Sequence, residues 1–106
     1  MFAAGGDVLE NIYKSQKLEK ICTNAQEAEK KYGPEMAEKI QMRIDQISAS
    51  ETIEMMVQYR IGRCHSLHGD RKGQYAMDLV HPYRLILEKK GNRMQVAKII
   101  EIVDYH

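Results

Sequence analysis

The period of the apolar residues changes once along this chain, and that change decides what it can fold into. Before about Tyr59 the apolar positions recur every three or four residues, whereas from Ile61 onward they come to alternate with polar ones. The first spacing belongs to helices buried along one stripe, the second to strands with one face in a core. In the helical half, Leu18, Ile21, Cys22, Ala25, Ala28 and Tyr32 fall on one face, with Lys17, Lys20, Glu27 and Lys31 elsewhere. One amphipathic helix is therefore expected from an N-cap at Ser15 to about Tyr32. Gly33 terminates it, and Pro34 suits the first turn of a second helix whose apolar face is Met36, Ile40, Ile44 and Ile47. The two form a hairpin. Ahead of them, Val8 to Tyr13 reads as a short edge strand, and after them Ser48 with Glu51 resembles a capping box that opens a helical turn through Met56.

In the second half, Tyr75, Met77 and Leu79 alternate with Gln74, Ala76 and Asp78, and Tyr83, Leu85 and Leu87 alternate with Arg84, Ile86 and Glu88. Both stretches read as half-buried strands. His81-Pro82 makes the turn between them and Gly91-Asn92 the next, and the β-branched run Val96 to Val103 suits a further strand. The expected class is α+β: an N-terminal strand and a helical hairpin packed on a mainly antiparallel sheet, the last strand ending in a C-terminal tail. With 106 residues and no repeat or linker, one domain over residues 1–106 is expected.

Composition excludes several classes. Hydrophobic residues are 43% and charged residues 29% of the chain, too balanced for a disordered tail or a membrane protein. No run approaches the roughly 20 apolar residues that span a bilayer, and residues 1–7 do not read as a signal peptide, so the cytoplasm is the expected location and no membrane partner is expected. Cys22 and Cys64 form no CxxC pair and signal neither zinc nor a disulfide framework; reduced packing or surface cysteines are expected. The net charge of +1 hides an asymmetry: residues 1–59 hold 7 basic and 10 acidic groups, residues 60–106 hold 9 and 5. A basic second half gives mild support to an anionic ligand there. It also holds all four histidines, the side chains that exchange protons near neutrality.

The densest chemistry lies in Cys64-His65-Ser66-Leu67-His68-Gly69-Asp70-Arg71-Lys72-Gly73, a glycine-bearing loop between strands. This segment resembles the HPLKGDRKG stretch of the HigB branch of the RelE superfamily, the plasmid-maintenance killer proteins. Tyr83-Arg84-Leu85 is similar to that family's aromatic-Arg strand, Asp104-Tyr105-His106 to its closing signature, and Ala37 to Ile44 to its helix, so the similarity runs from about Tyr13 to the end. What the resemblance implies is the toxin of a type II toxin–antitoxin pair, a metal-independent endoribonuclease that cleaves messenger RNA on the ribosome and needs no cofactor. It also implies a helix-turn-helix antitoxin as partner, with a toxin–antitoxin heterotetramer as one arrangement.

In such chemistry a ribose 2′-hydroxyl attacks the neighbouring phosphate, so one proton must be removed, another supplied, and extra charge on phosphate oxygens stabilised. The resemblance carries the catalytic set onto His65, Arg84, Asp104, Tyr105 and His106, with the two imidazoles as proton carriers and neither assigned as acid or base. On that resemblance Arg84 is expected to supply a planar fork for phosphate, Asp104 to orient an imidazole or raise its pKa, and Tyr105 to stack on a base or bond a phosphate oxygen. His68, Arg71, Lys72 and Tyr83 are the candidate RNA contacts, with Tyr83 either core or stacking material. The sequence departs from the family at His68, where lysine is common, at Ser66, where proline is common, and at Tyr83, often tryptophan. Taken without the resemblance, these residues also read as surface histidines, a solvent-facing arginine and a frayed tail. A second reading is a related ParE-type toxin that binds and inhibits gyrase without chemistry, which would not need the histidines or the closing triad.

Overall fold

The computed structural model of the protein describes residues 9–89 and 96–104. Strand β1 (Glu10–Tyr13) is followed by helices α1 (Gln16–Thr23), α2 (Ala25–Tyr32), α3 (Pro34–Ala49) and α4 (Ile53–Gln58), then by strands β2 (His65–Ser66), β3 (Gln74–Asp78), β4 (Tyr83–Lys89) and β5 (Val96–Asp104). The sheet runs β1-β5-β4-β3-β2, with β1 parallel to β5 and every other pair antiparallel. The α+β class read from the change of period is the class observed. No described helix is long and apolar enough to cross a membrane.

The helical stripe does its expected work in α3, where Met36, Ile40, Ile44 and Ile47 are all buried and join Met77, Leu85, Leu87 and Ile99 of the sheet in one core. Burying each such side chain contributes about 1.5–3 kcal/mol. Gly33 stands between α2 and α3 at φ 91°, which a residue with a Cβ adopts only under strain, and Pro34 opens α3 as expected.

Three expectations are corrected. The single helix from Ser15 to Tyr32 is two helices. Ser15 Oγ accepts from the Leu18 amide at 3.1 Å as expected, but Asn24 leaves helical geometry and caps a new start, its Oδ1 accepting from the Gln26 and Glu27 amides at 3.0 and 3.3 Å. Ala25, expected in the buried stripe, is exposed as a result. The capping box at Ser48 does not form: Ser48 stays inside α3, its hydroxyl accepting from Asn11 Nδ2 of β1 at 2.9 Å, and Thr52 caps α4 instead through the Met55 amide. Finally, β4 is not half-buried, since Ile86 is fully buried on the face opposite Leu85 and Leu87, beside equally buried Ala76 on β3. The expected turn at Gly91-Asn92 lies outside the described residues.

Paired residues share a sheet face, so register sorts the side chains. Tyr75, Met77, Tyr83, Leu85, Leu87 and Ile99 face the helices. The other face carries the rows His65-Ala76-Ile86-Glu101, Gln74-Glu88-Lys98 and Asp78-Arg84-Val103. A slip in the β4–β5 register between Ile86 and Leu87 lies between the rows of Ile86-Glu101 and Glu88-Lys98.

Candidate functional site

The polar segment after α4 begins with an unusual backbone. Arg60 sits at φ 55° and Arg63 at φ 57°, with Gly62 between them at φ 59°. Left-handed geometry normally falls to glycine and costs other residues on the order of 1–2 kcal/mol. Gly62 cannot be replaced cheaply, since a Cβ there would lie 2.8 Å from Nε and 2.9 Å from Cδ of Arg43. Arg43 is the buried support beneath this turn: its Nε donates to the Asp78 carbonyl at 2.6 Å and its Nη1 to Gln46 Oε1 at 2.9 Å. Burial lowers its pKa, and the nearby Asp78 carboxylate partly opposes that.

From this turn the chain enters β2 at His65. Val57, Arg60, Arg63, Cys64, His65 and Arg84 line a cleft of about 420 Å³. Asp78 organises two of its arginines. Its Oδ2 meets Arg63 Nε at 3.1 Å and its Oδ1 meets Arg84 Nε at 3.4 Å. His65 Nδ1 lies 2.8 Å from the Arg63 carbonyl oxygen. A carbonyl only accepts, so that contact needs the proton on Nδ1 and leaves Nε2 of the neutral ring as the nitrogen that can take one. Two of the residues singled out from sequence, His65 and Arg84, thus share one cleft.

The other candidates are distributed differently. Arg71 does not line the cleft; its guanidinium reaches the sheet face turned away from the helices, forked between Gln74 Oε1 at 2.8 Å and Glu101 Oε1 at 3.1 Å. His68 is exposed at the start of the short 3-10 turn Gly69–Arg71, and Lys72 is exposed after it. Tyr83 packs on the helix side, edge-on to Tyr32 with centroids 5.3 Å apart, so of the two expectations for it the core one fits. Asp104 pairs with Tyr83 and, one step beyond the Arg84↔Val103 pair, belongs to the helix-facing row rather than to the row of Arg84. Tyr105 and His106 lie outside the described residues.

Sequence reasoning missed Arg60, Arg63, Asp78 and Arg43. The signal for the first two is Tyr59-Arg60-Ile61-Gly62-Arg63, two arginines flanking a glycine just past a helix end. Both cysteines are buried free thiols, and burial pushes each up to about 12, so neither is poised as a nucleophile. A larger groove of about 750 Å³ runs between α2 and α3, but its floor is Ala37, Met42 and Pro34 and its charged lining is Glu29, Glu38 and Asp45. It holds no proton carrier of the imidazole type and no guanidinium.

No protein-family model matches the chain. Nor does any curated protein match it in sequence. Its architecture is nevertheless shared. A YoeB/ParE toxin from Agrobacterium tumefaciens superposes with a TM-score of 0.64 over 92% of this chain and 100% of its own, at 15% identity. YoeB in a YoeB-YefM complex from Staphylococcus aureus superposes with a TM-score of 0.61 over 92% of this chain and 97% of its own, at 20% identity. The chain therefore has the fold of these toxins, and neither likeness singles out the HigB branch within it.

Proposed function

We propose that this chain is the toxin of a toxin–antitoxin pair and that it arrests growth by cleaving messenger RNA on the ribosome. The observation that carries the reading is the meeting of His65 and Arg84 in one cleft, on a fold shared with YoeB/ParE toxins. An imidazole whose Nε2 is left to exchange protons, in a cleft that also holds guanidinium groups, suits phosphoryl chemistry and is not required for binding alone. In the reaction we infer, the ribose 2′-hydroxyl attacks the adjacent phosphorus, the new bond closes a cyclic phosphate, and the 5′-oxygen leaves with a proton. His65 serves one of the two proton transfers, each typically worth ~10²–10⁴-fold. Arg84 stabilises the extra charge on the phosphate oxygens. By resemblance to the HigB branch, His106 serves the second transfer, with Asp104 and Tyr105 assisting; for Asp104 that role requires reaching around the end of β5 from the helix-facing row. His68, Arg71 and Lys72 contact the RNA backbone, which positions a strand without reading its sequence.

The S. aureus YoeB-YefM complex joins YoeB to a second protein. By analogy this chain has a protein partner, and the family resemblance makes it a helix-turn-helix antitoxin. The A. tumefaciens relative carries the ParE name as well as YoeB, which favours one alternative: binding and inhibition of gyrase without cleavage. Inducing the wild-type chain and His65→Ala side by side, with growth and the half-lives of several messages followed, separates the two. Message loss that disappears in the variant supports cleavage; growth arrest of equal strength in both, with stable messages, overturns it.

A further inference from the structure

We infer that Arg60, Arg63 and Arg84 form a phosphate-binding site in which the Asp78 carboxylate is a built-in competitor for the ligand. The inference deepens the proposed function only in naming the polymer as RNA; anion binding itself stands on the cleft. Among the six lining residues are three guanidinium groups and one imidazole, and no carboxylate. Asp78 reaches Arg63 and Arg84 from the sheet row, one carboxylate shared between two guanidinium groups. Arg60 has no ion pair among the described residues.

The backbone is built to hold these groups. Arg60 and Arg63 occupy left-handed positions that glycine would fill with less strain, and such residues concentrate at functional sites. The turn that carries them cannot settle lower, because Gly62 already rests on the buried side chain of Arg43. Arg43 in turn holds the Asp78 backbone, so the turn and the competitor share one support.

Why phosphate, and why competition, follow from the contact geometry. A planar guanidinium offers five N–H donors in a fork that matches the oxygens of carboxylate or phosphate. Asp78, itself 27% exposed, meets Arg63 through Nε at 3.1 Å on a side chain that is 82% exposed, and Arg84 through Nε at 3.4 Å on one that is 36% exposed. The exposed Arg63 arm of this arrangement contributes little stability, so that guanidinium exchanges the carboxylate for a phosphate at small cost. A phosphate bound there meets up to three guanidinium groups at once, where Asp78 meets two.

Titration of the full chain with inorganic phosphate, and separately with a short oligodeoxynucleotide that has no 2′-hydroxyl, tests this by amide chemical shifts. The expected result is that Arg63→Ala and Arg60→Ala each weaken binding of both probes, about tenfold for the loss of one charge-assisted contact. Asp78→Asn tightens it several-fold, and Lys30→Ala on α2 leaves it unchanged. Arg63→Lys and Asp78→Ser serve as second variants should the first pair disturb the spectrum. Equal affinity across all arginine variants overturns the site. Weaker binding in both Asp78 variants overturns the competitor and makes Asp78 a positioning residue. Binding of inorganic phosphate without the oligonucleotide keeps the site and overturns its reading as a backbone clamp. Intact binding in a chain that cleaves no message counts against the proposed function alone.

Discussion

Arg43 and Asp78, 35 residues apart in sequence, are joined by a 2.6 Å hydrogen bond from the guanidinium Nε to the backbone carbonyl. Through it the helical hairpin holds the end of β3, and the carboxylate of the same Asp78 holds Arg63 and Arg84 at the cleft. Replacing Arg43 with Met keeps much of the volume but leaves that carbonyl and Gln46 Oε1 without their donor. An orphaned buried acceptor costs about 1–3 kcal/mol, partly offset because a guanidinium need no longer be desolvated. We expect Arg43→Met to unfold at lower urea than wild type with an unchanged m value. Equal midpoints would mean that water replaces the guanidinium.

The turn above Arg43 gives a second prediction. Gly62→Ala puts a Cβ 2.8 Å from an Nε that is already hydrogen-bonded and cannot swing away, at a φ that alanine avoids. The expected loss is about 1–3 kcal/mol of stability, read by thermal unfolding. Gly69→Ala, at φ 65° and with nothing within 4 Å of a Cβ, isolates the backbone strain alone and is expected to lose less.

Much of this architecture is legible from side-chain periodicity, because the helix-facing residues of β3 and β4 and the buried face of α3 each keep one period. The break at Asn24 is not legible in that way. Ile21, Cys22, Ala25 and Ala28 keep helical spacing straight through it, and only the competition of the Asn24 side chain for the next two amides interrupts the helix. The burial of Ile86 depends equally on context, since an alternating strand says nothing about what covers its second face. At the cleft, His65 and Arg84 are recognisable by residue type and resemblance. Arg63 and Asp78 are not, because their meeting depends on a three-strand register and on a left-handed arginine that no propensity favours. The tail residues Tyr105 and His106 stand on resemblance alone.

The two thiols predict a pH effect. Burial raises both Cys22 and Cys64 from 9.0 to about 12, so the folded state holds these protons more tightly than the unfolded chain does. Their contribution to stability is complete below pH 9 and is lost as the pH rises from there towards 12. The native protein is expected to resist iodoacetamide at pH 8 and to lose stability above pH 9. Cys64→Ala should flatten that alkaline loss, as followed by urea midpoints at several pH values.

Arg84→Lys keeps the charge and removes the fork. If the phosphate is held by paired N–H donors, the variant loses roughly 10- to 100-fold in cleavage rate while folding normally, the loss of one charge-assisted contact in the transition state. Single-turnover cleavage rates and a far-ultraviolet circular dichroism spectrum check both halves. Near-normal cleavage would move the phosphate contact to Arg60 or Arg63.

The central claim is that His65 takes part in cutting messages as they are translated. Primer extension on a defined message, translated with purified components in the presence of the full chain, reads that directly. We expect cuts within codons at the ribosomal decoding site with the wild-type chain, and none with His65→Ala or His106→Ala at equal protein concentration. Uncut messages with a wild-type chain that still arrests growth would contradict the account and turn attention to gyrase.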